Sequence, residues 1–284
     1  MKFSIRHDTI YRYRRPVVLQ PHRLMLVPRG THELRLLSSA LHLTPEAEVE
    51  WTQDVFGNVV ATATFASPAD ELHIAVDVTV EQCAPAWPVF RIEPSAHRYP
   101  FRYAKGEVTD LGALLQPQYD DDDDRLSCWA RKFVRGASTD TLSLLNDLNS
   151  GVADAAAYRI RDEEGTQSPL DTISLGSGSC RDLAALFIEA VRRLGMGARA
   201  VSGYLHDPAS NADAAGSTHA WAEVYLPSAG WIAFDPTHRR NGSASLIPVA
   251  VGRCIAQIIP VIGGYTGSAN DVVGLQVSVT VLPI

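Results

Sequence analysis

The sequence predicts an α+β protein in which a β-sandwich-like or open-barrel region precedes a core of helices and strands. Over the first hundred residues, runs of β-branched and apolar residues such as 59–65 and 72–80 alternate with Pro- and Gly-containing stretches, as is typical of β-strands. From residue 126 onward apolar residues recur with helical spacing, and from residue 199 alternating strand-like patterns return.

Composition and charge are those of a globular protein with one large domain or two ordinary ones. The chain has 284 residues, 46% hydrophobic and 20% charged, so a packed core is expected. The net charge of −7 argues against nucleic-acid binding, which requires a basic surface. No segment approaches the roughly 18 apolar residues of a membrane span, and residues 1–15 lack the apolar stretch of a signal peptide. We therefore expect a cytoplasmic protein without membrane contact.

The cysteines form neither a metal-binding nor a redox motif. None stands in C-x-x-C spacing, and in a reducing compartment four free thiols are expected: Cys83, Cys128, Cys180 and Cys254. Most free cysteines are small buried hydrophobic residues, so a functional role for any of them needs support from its surroundings.

A run of five aspartates, residues 120–124, marks the expected boundary between the two regions. Runs of like charge are usually solvated, and this one would also favour the N-terminus of the helix that follows. The expected division is therefore a β-rich domain over residues 1–115, an acidic linker over 116–124 and a second domain over 125–284.

Turn and helix signals divide these regions further. The segment DVFGN, residues 54–58, predicts a turn between two strands. Apolar residues at helical spacing predict helices over residues 126–134 and around 141–152. Residues 168–171 combine a Ser cap, a Pro and an Asp, which predicts a short helix ending at the glycines before Cys180.

Cys180 stands at the start of a predicted core helix. After the GSGS segment of residues 176–179, apolar residues at helical spacing continue to Leu194. The unpaired N–H groups and the positive end of the helix dipole stabilise a thiolate, the nucleophilic form of cysteine. The backbone N–H of Cys180 would also be available to an oxyanion. By itself, a cysteine after a Gly-Ser turn is weak evidence for catalysis.

Strands downstream bring a histidine and an aspartate to one end of a sheet. Residues 199–205 predict one strand, and residues 219–226 alternate strictly between two faces, one of them wholly apolar. A turn then leads into the strand of residues 231–235. Because His219 opens one strand of this hairpin and Asp235 closes the other, both lie at the same end.

The length of the turn decides whether these two side chains share a face. Since side chains alternate along a strand, the loop must contain an odd number of residues. A loop of residues 227–229, or of five residues, puts His219 opposite Thr237 and diagonal to Asp235. A four-residue loop would pair His219 with His238 and turn Asp235 to the other face. We predict an odd loop.

Several segments resemble the bacterial transglutaminase-like superfamily, whose core fold is related to papain. In the second region they are GSGSCRDLAALFIEAVRRLGMGARAVSGYL and THAWAEVYLPSAGWIAFDPTH. In the first region, HDTIYRY, RLMLVPRG and DVFGN resemble the β-rich domain that accompanies many bacterial members. The resemblance covers nearly the whole chain and implies that residues 125–284 form a papain-like catalytic domain.

The resemblance also implies roles for individual residues. Cys180, His219 and Asp235 correspond to the family's catalytic triad. Tyr158 matches a common aromatic position and either lines the acyl site or is a core tyrosine. Trp221 shares the face of His219 and either forms a wall or donor of the site or simply packs.

Two residues depart from the family's pattern. Relatives often have an acidic residue after Gly-Arg where this chain has Cys254, and an Asn where it has His238. Neither change touches the expected triad. The segment VGRCIAQIIPVIGGYTG can border the cleft, so the substrate specificity of relatives does not carry over.

The implied chemistry is acyl transfer on peptide or amide bonds of a peptide or protein substrate, with no metal or organic cofactor. Cys180 attacks the carbonyl, His219 transfers protons and Asp235 orients the imidazole. Water as acceptor makes the protein a peptidase or amidase, which we favour because excluding water requires a closed tunnel. An amine acceptor would make it a protein-glutamine γ-glutamyltransferase. A non-catalytic binding scaffold is the alternative from another class, and the oligomeric state stays open.

Overall fold

The computed structural model describes residues 1–161, 163–206 and 216–284. The helices of these residues, named α1 to α5 in chain order, are Lys105–Leu111, Arg125–Arg131, Thr141–Ala155, Pro169–Leu175 and Cys180–Arg193. Their strands, named β1 to β18, are Lys2–Leu19, His22–Leu24, Leu34–Thr44, Ala47–Gln53, Val59–Phe65, Ala69–Gln82, Arg98–Tyr99, Thr139–Asp140, Ala157–Tyr158, Ser177–Gly178, Ala198–Leu205, Ser217–Leu226, Gly230–Asp235, Arg240–Asn241, Leu246–Gly252, Val261–Ile262, Tyr265–Thr266 and Val272–Pro283. The predicted α+β class is confirmed. None of the helices in these ranges has the length and apolarity needed to cross a bilayer.

The N-terminal region contains two antiparallel sheets, in agreement with the predicted β-sandwich-like architecture. One has the strand order β17-β1-β6-β3, with β18 also paired to β1, and the other has the order β16-β2-β5-β4. Alternate side chains of both sheets are buried in one hydrophobic cluster, as Ile5, Ala63 and Ile74 show. The predicted turn at residues 54–58 joins β4 to β5, and Gly57 adopts a φ of +71° there.

The C-terminal strands return the chain to these N-terminal sheets. β18 runs antiparallel to β1, from the pair Phe3 and Pro283 to the pair Tyr13 and Val272. β16 and β17 pair with β2 and β1. The division of the chain around residues 116–124 stays a prediction, but its last strands belong to the sheets of the first region rather than to those of the second.

The second region is built on a five-stranded antiparallel sheet with the order β14-β13-β12-β11-β15. α5 packs across this sheet with Leu183 and Phe187 buried, and the ring of Phe187 stacks on that of Phe234 in β13 at 5.4 Å. These residues belong to the same hydrophobic cluster as the inward faces of the N-terminal sheets. The two regions therefore share a core.

The predicted helices form with one difference in length. α2 ends at Arg131 and not at residue 134 as predicted. The chain leaves the helix here, and the ring of Phe133 packs on α3 at Gly151. The ring lies so close that a Cβ added to Gly151 would be only 2.2 Å from it. α4 has the predicted start, because the hydroxyl of Ser168 accepts a hydrogen bond from the N–H of Asp171.

Candidate active site

Cys180 is the first residue of α5, and contacts around Asp182 hold this helix start in place. Asp182 is fully buried and accepts hydrogen bonds from the N–H and the hydroxyl of Ser179 at 2.8 and 2.7 Å. It also accepts from the N–H of Gln167 at 2.8 Å and pairs with Arg161 at 2.9 Å. Asp182 therefore holds the first turn of α5 in place and with it the backbone position of Cys180.

The β12–β13 hairpin has the odd loop that the sequence predicted. Leu226 pairs with Gly230, which leaves the three residues 227–229 in the loop. Continued along both strands, this register puts Asp235 diagonal to His219 on the same face. The backbone thus brings together the two side chains that the alternation pattern singled out.

His219 and Asp235 form a hydrogen bond in the protein interior. Nε2 of His219 lies 2.9 Å from Oδ2 of Asp235, and the two side chains are 4% and 2% exposed. Asp235 also accepts from the N–H of Thr237 at 3.0 Å and from Nδ1 of His238 at 2.8 Å. Because Nε2 of His219 is engaged by Asp235, Nδ1 is the ring nitrogen available to Cys180.

The thiol of Cys180 lies beside His219 and two backbone donors. Burial alone would raise the pKa of Cys180, but a hydrogen bond and charge attraction from His219 lower it. The backbone N–H groups of Ala220 and Arg181 act in the same direction. The pKa of the thiol is therefore below its ordinary value, which favours the nucleophilic thiolate.

Cys180, His219 and Asp235 each stabilise the charged form of a neighbour in this group. Burial would lower the pKa of His219, yet Asp235 and Cys180 together raise it to about 9. Burial would likewise raise the pKa of Asp235, but hydrogen bonds and charges from His219 and His238 lower it. Between the lowered pKa of Cys180 and a pH of about 9, the site holds a thiolate, an imidazolium and a carboxylate.

A cleft of about 1250 Å³ opens beside Cys180. Its walls include the first region's sheet with Tyr11 and Leu275, the loop of residues 163–166, and the segment from Cys254 to Gly267. The segment that departs from the family's pattern therefore borders the cleft, as expected.

The two further residues proposed for substrate binding lie in different surroundings. Trp221 is 1% exposed and belongs to a separate buried cluster, with its ring stacked at 6.1 Å from that of His219. Of the two alternatives, this burial agrees with packing, because Trp221 stacks on the ring of His219 and is not among the residues that line the cleft. Tyr158 is half exposed and pairs with Gly178, two residues before Cys180, so a role at the acyl site stays a prediction.

Sequence reasoning missed the N-terminal side of the cleft. Tyr11, Tyr13, Val272 and Leu275 line it, but locally they are ordinary strand residues, and only the pairing of β18 with β1 brings them near Cys180. For His238 a signal was available, since it follows Asp235 by three residues in the motif DPTH.

The cluster of His219, Asp235 and His238 also has the composition of a metal site. Their ligand atoms lie within 4.8 Å of one another, and two imidazoles with a carboxylate are donors that Zn²⁺ accepts. Both imidazole nitrogens are directed to the same carboxylate oxygen of Asp235. The absence of a metal from the reaction stays a prediction.

Two family models match the chain. Residues 3–81 match the bacterial transglutaminase-like N-terminal region, and residues 128–236 match the transglutaminase-like superfamily. An uncharacterised protein of Mycobacterium tuberculosis is 27% identical over 99% of this chain and 93% of its own length. Another, from Mycobacterium leprae, is 24% identical over 98% of each chain.

The fold is also found in a solved structure. A proposed cysteine protease from Cytophaga hutchinsonii has a TM-score of 0.75 and 21% identity, and the match covers 100% of this chain and 91% of that chain. This likeness shows that the complete arrangement of both regions, including the returning C-terminal strands, is a shared fold. Residues 128–236 of the chain therefore belong to the transglutaminase-like superfamily, and residues 3–81 are the N-terminal region that its bacterial members carry.

Proposed function

We propose that this chain is an acyl-transfer enzyme that cleaves peptide or amide bonds through Cys180, His219 and Asp235. The observation that carries the proposal is the connected set of a helix-start thiol, an imidazole beside it and a buried carboxylate that holds the imidazole. All three groups have pKa values shifted toward the charged forms that the reaction needs.

The first half of the reaction transfers the acyl group to sulfur. The thiolate of Cys180 attacks the carbonyl carbon, and the developing oxyanion accepts a hydrogen bond from the N–H of Cys180. That N–H has no acceptor among the residues that the structure describes. Nδ1 of His219 donates its proton to the leaving amine as the carbon–nitrogen bond breaks, which leaves a thioester and a neutral imidazole.

The second half releases the acyl group. The neutral imidazole of His219 takes a proton from water as the water oxygen attacks the thioester carbon. The carbon–sulfur bond then breaks, so the acid leaves and the ion pair of Cys180 and His219 is restored. Asp235 accepts the N–H at Nε2 throughout and stabilises the imidazolium in both halves.

The size of the cleft supports water as the acceptor. Its volume of about 1250 Å³ exceeds the roughly 300–1000 Å³ of small-molecule pockets, so water can reach the acyl-enzyme beside a bound product. The match to the transglutaminase-like superfamily favours a second candidate, a γ-glutamyltransferase with an amine acceptor.

Alkylation at low pH tests the nucleophile, and the chain contains its own control thiols. An ordinary cysteine with a pKa near 8.5 is less than about 1% thiolate at pH 6. Because the pKa of Cys180 is lowered, we expect iodoacetamide to modify it at least about tenfold faster at pH 6 than the exposed Cys83 and Cys128. Peptide mass spectrometry of one sample measures all three rates. Equal rates would overturn the catalytic proposal.

A glutamine-containing peptide and a fluorescent amine separate the two acceptors. Hydrolysis predicts cleavage or deamidation without incorporation of the amine, whereas a γ-glutamyltransferase couples the amine to the peptide. Cys180→Ser is the control, since either product must disappear with the thiol.

A further inference from the structure

The cleft beside Cys180 is lined in part by exposed aliphatic side chains. Four of its lining residues, Ile259, Ile262, Val272 and Leu275, are between 38% and 58% exposed. Soluble proteins seldom leave large apolar groups together in a concave surface unless something binds there. The four belong to the C-terminal strands and the segment just before them.

The pairing of β1 with β18 explains how this apolar surface arises. Ile5 pairs with Val281, and both are fully buried where β18 contacts β11 and β12. Tyr11 pairs with Leu275 six residues further along each strand, so it presents the same face of the sheet. Around Tyr11 and Leu275 this face of the sheet borders the cleft. We name Tyr11, Val272 and Leu275 the sheet wall.

The loop of residues 163–166 adds negative charge to the cleft. Glu163 and Glu164, here named the acidic rim, are exposed and line the cleft. Glu163 approaches Arg161 only at 3.5 Å, and Glu164 forms no ion pair with the residues that the structure describes. Tyr11 faces this rim: burial raises the pKa of Tyr11, and the charge of Glu164 adds to the shift.

Few positive charges balance the acidic rim within the cleft. Arg181 is the one lysine or arginine among its described lining residues. Its guanidinium donates to the backbone carbonyl of Glu163. A cationic group of a ligand can therefore approach Glu163 and Glu164 without displacing a strong protein ion pair.

We propose that the substrate is a polypeptide segment with an aliphatic side chain on the sheet wall and a lysine or arginine side chain at the acidic rim. The inference rests on the proposed function, because the segment must place its reacting carbonyl at Cys180. The first region thereby becomes part of the substrate site, since two of the three sheet-wall residues lie on β18 and the third on β1.

Irreversible peptide probes test this selectivity at Cys180 without knowledge of the natural substrate. N-acetyl dipeptide vinyl sulfones, in both residue orders, would carry Leu or Ser at one position and Lys or Glu at the other. The second-order rate of Cys180 modification is measured by mass spectrometry for each probe, at low ionic strength. The rate with iodoacetamide is measured on every variant as the reference for an intact nucleophile.

The wild-type chain should prefer Leu over Ser by about tenfold, the effect of partly burying one aliphatic side chain. It should prefer Lys over Glu by about fivefold, the effect of an exposed ion pair, and added salt should reduce this second preference. Leu275→Ser is expected to lower the Leu preference at least about threefold. Glu163→Gln combined with Glu164→Gln is expected to remove the Lys preference.

Matched substitutions outside the cleft serve as controls. Leu282→Ser alters an exposed residue of the same strand on its opposite face, and Glu50→Gln removes an exposed charge from β4. Both should retain the wild-type preferences, and all variants should retain the iodoacetamide rate.

The possible failures are distinguishable. If iodoacetamide modifies Cys180 rapidly but Leu275→Ser and the rim variant keep both wild-type preferences, the substrate inference is wrong and the proposed function stands. If no wild-type preference is observed, the inference is also wrong. If Cys180 reacts slowly with every reagent, the proposed function falls and the substrate inference falls with it.

Discussion

Asp235 is shared by two histidines, and this sharing affects the charge at the proposed catalytic centre. Its Oδ2 lies 2.9 Å from Nε2 of His219 and 2.8 Å from Nδ1 of His238. The His219 and His238 rings lie 5.2 Å apart in an edge-to-face arrangement. His238 is half exposed whereas Asp235 is buried, so it connects the interior of the site to its surface. We expect His238 to position Asp235 and Asp235 to hold the proton of His219.

Replacing Asp235 with Asn tests this role of its charge. Asp235→Asn keeps the size of the side chain but removes the charge that helps raise the pKa of His219 to about 9. The pKa of His219 should fall, and the ion pair with Cys180 should give way to neutral imidazole and thiol. Alkylation of Cys180 at pH 6 should slow at least about tenfold, the effect of one pKa unit.

His238→Asn is the matched comparison for that experiment. Its amide can still donate to Asp235, so the alkylation rate should stay within about threefold of wild type. An unchanged rate in Asp235→Asn would remove Asp235 from the mechanism.

Two helices begin with the same Ser-x-x-Asp pattern, but only one of these starts is buried. In α4, Asp171 is exposed and accepts a hydrogen bond from the hydroxyl of Ser168. In α5, Asp182 is fully buried, accepts hydrogen bonds from Ser179 and Gln167, and forms an ion pair with Arg161. The same local signal thus produces a surface cap in one element and a buried support for the start of the Cys180 helix in the other.

Asp182→Ala should cost about 2–4 kcal/mol of unfolding free energy, because it leaves buried N–H groups and Arg161 without their acceptor. The matched Asp171→Ala should cost only about 0.5–1 kcal/mol. Urea unfolding at pH 7 measures both, and equal costs would contradict the supporting role of Asp182.

The pH dependence of the Asp182 contribution has a definite sign. Burial opposes the charge of Asp182, but hydrogen bonds from Ser179 and Gln167 and the contact with Arg161 lower its pKa below 3.8. A lowered pKa stabilises the folded state above the ordinary value. The difference between wild type and Asp182→Ala should therefore shrink as the pH falls below about 4.

The two regions of the molecule are joined by a clasp at the predicted turn. Asn58 is fully buried; its amide donates to the carbonyl of Val251 at 2.7 Å and accepts from the N–H of Val251 at 2.8 Å. Arg29 donates to the side-chain oxygen of Asn58 at 2.6 Å. Asp54 accepts from the side-chain nitrogen of Asn58 at 2.8 Å. Together with the shared core, this clasp holds the two regions against each other.

Asn58→Ala should destabilise the whole molecule by about 2–4 kcal/mol, because the backbone groups of Val251 lose their buried partners. Since the core is shared, unfolding should remain a single transition in which fluorescence and circular dichroism coincide. Asn270→Ala changes an exposed asparagine and should stay within about 0.5 kcal/mol of wild type. Separate transitions for the two regions would contradict the shared core.

Local patterns in the sequence were sufficient for the parts of this protein that depend on near neighbours. The period of apolar residues predicted α5 with Cys180 at its start, and alternation along β12 with an odd loop predicted that Asp235 would share the face of His219. Both succeeded because helix period, strand alternation and loop parity are geometric consequences of a few consecutive residues.

The tertiary structure alone decided what surrounds the triad. Tyr11 and Leu275 lie 264 positions apart in the sequence, and they meet because β18 pairs with β1 at the edge of the first region's sheet. The burial of Trp221, the second histidine on Asp235 and the acidic side of the cleft likewise follow from which elements pack together. Strand pairing between distant segments has no local signature, because its free energy comes from shared burial and hydrogen bonding across the assembled sheets. The sequence by itself therefore determined the proposed reacting groups, and the fold decided the shape and charge of the cleft beside them.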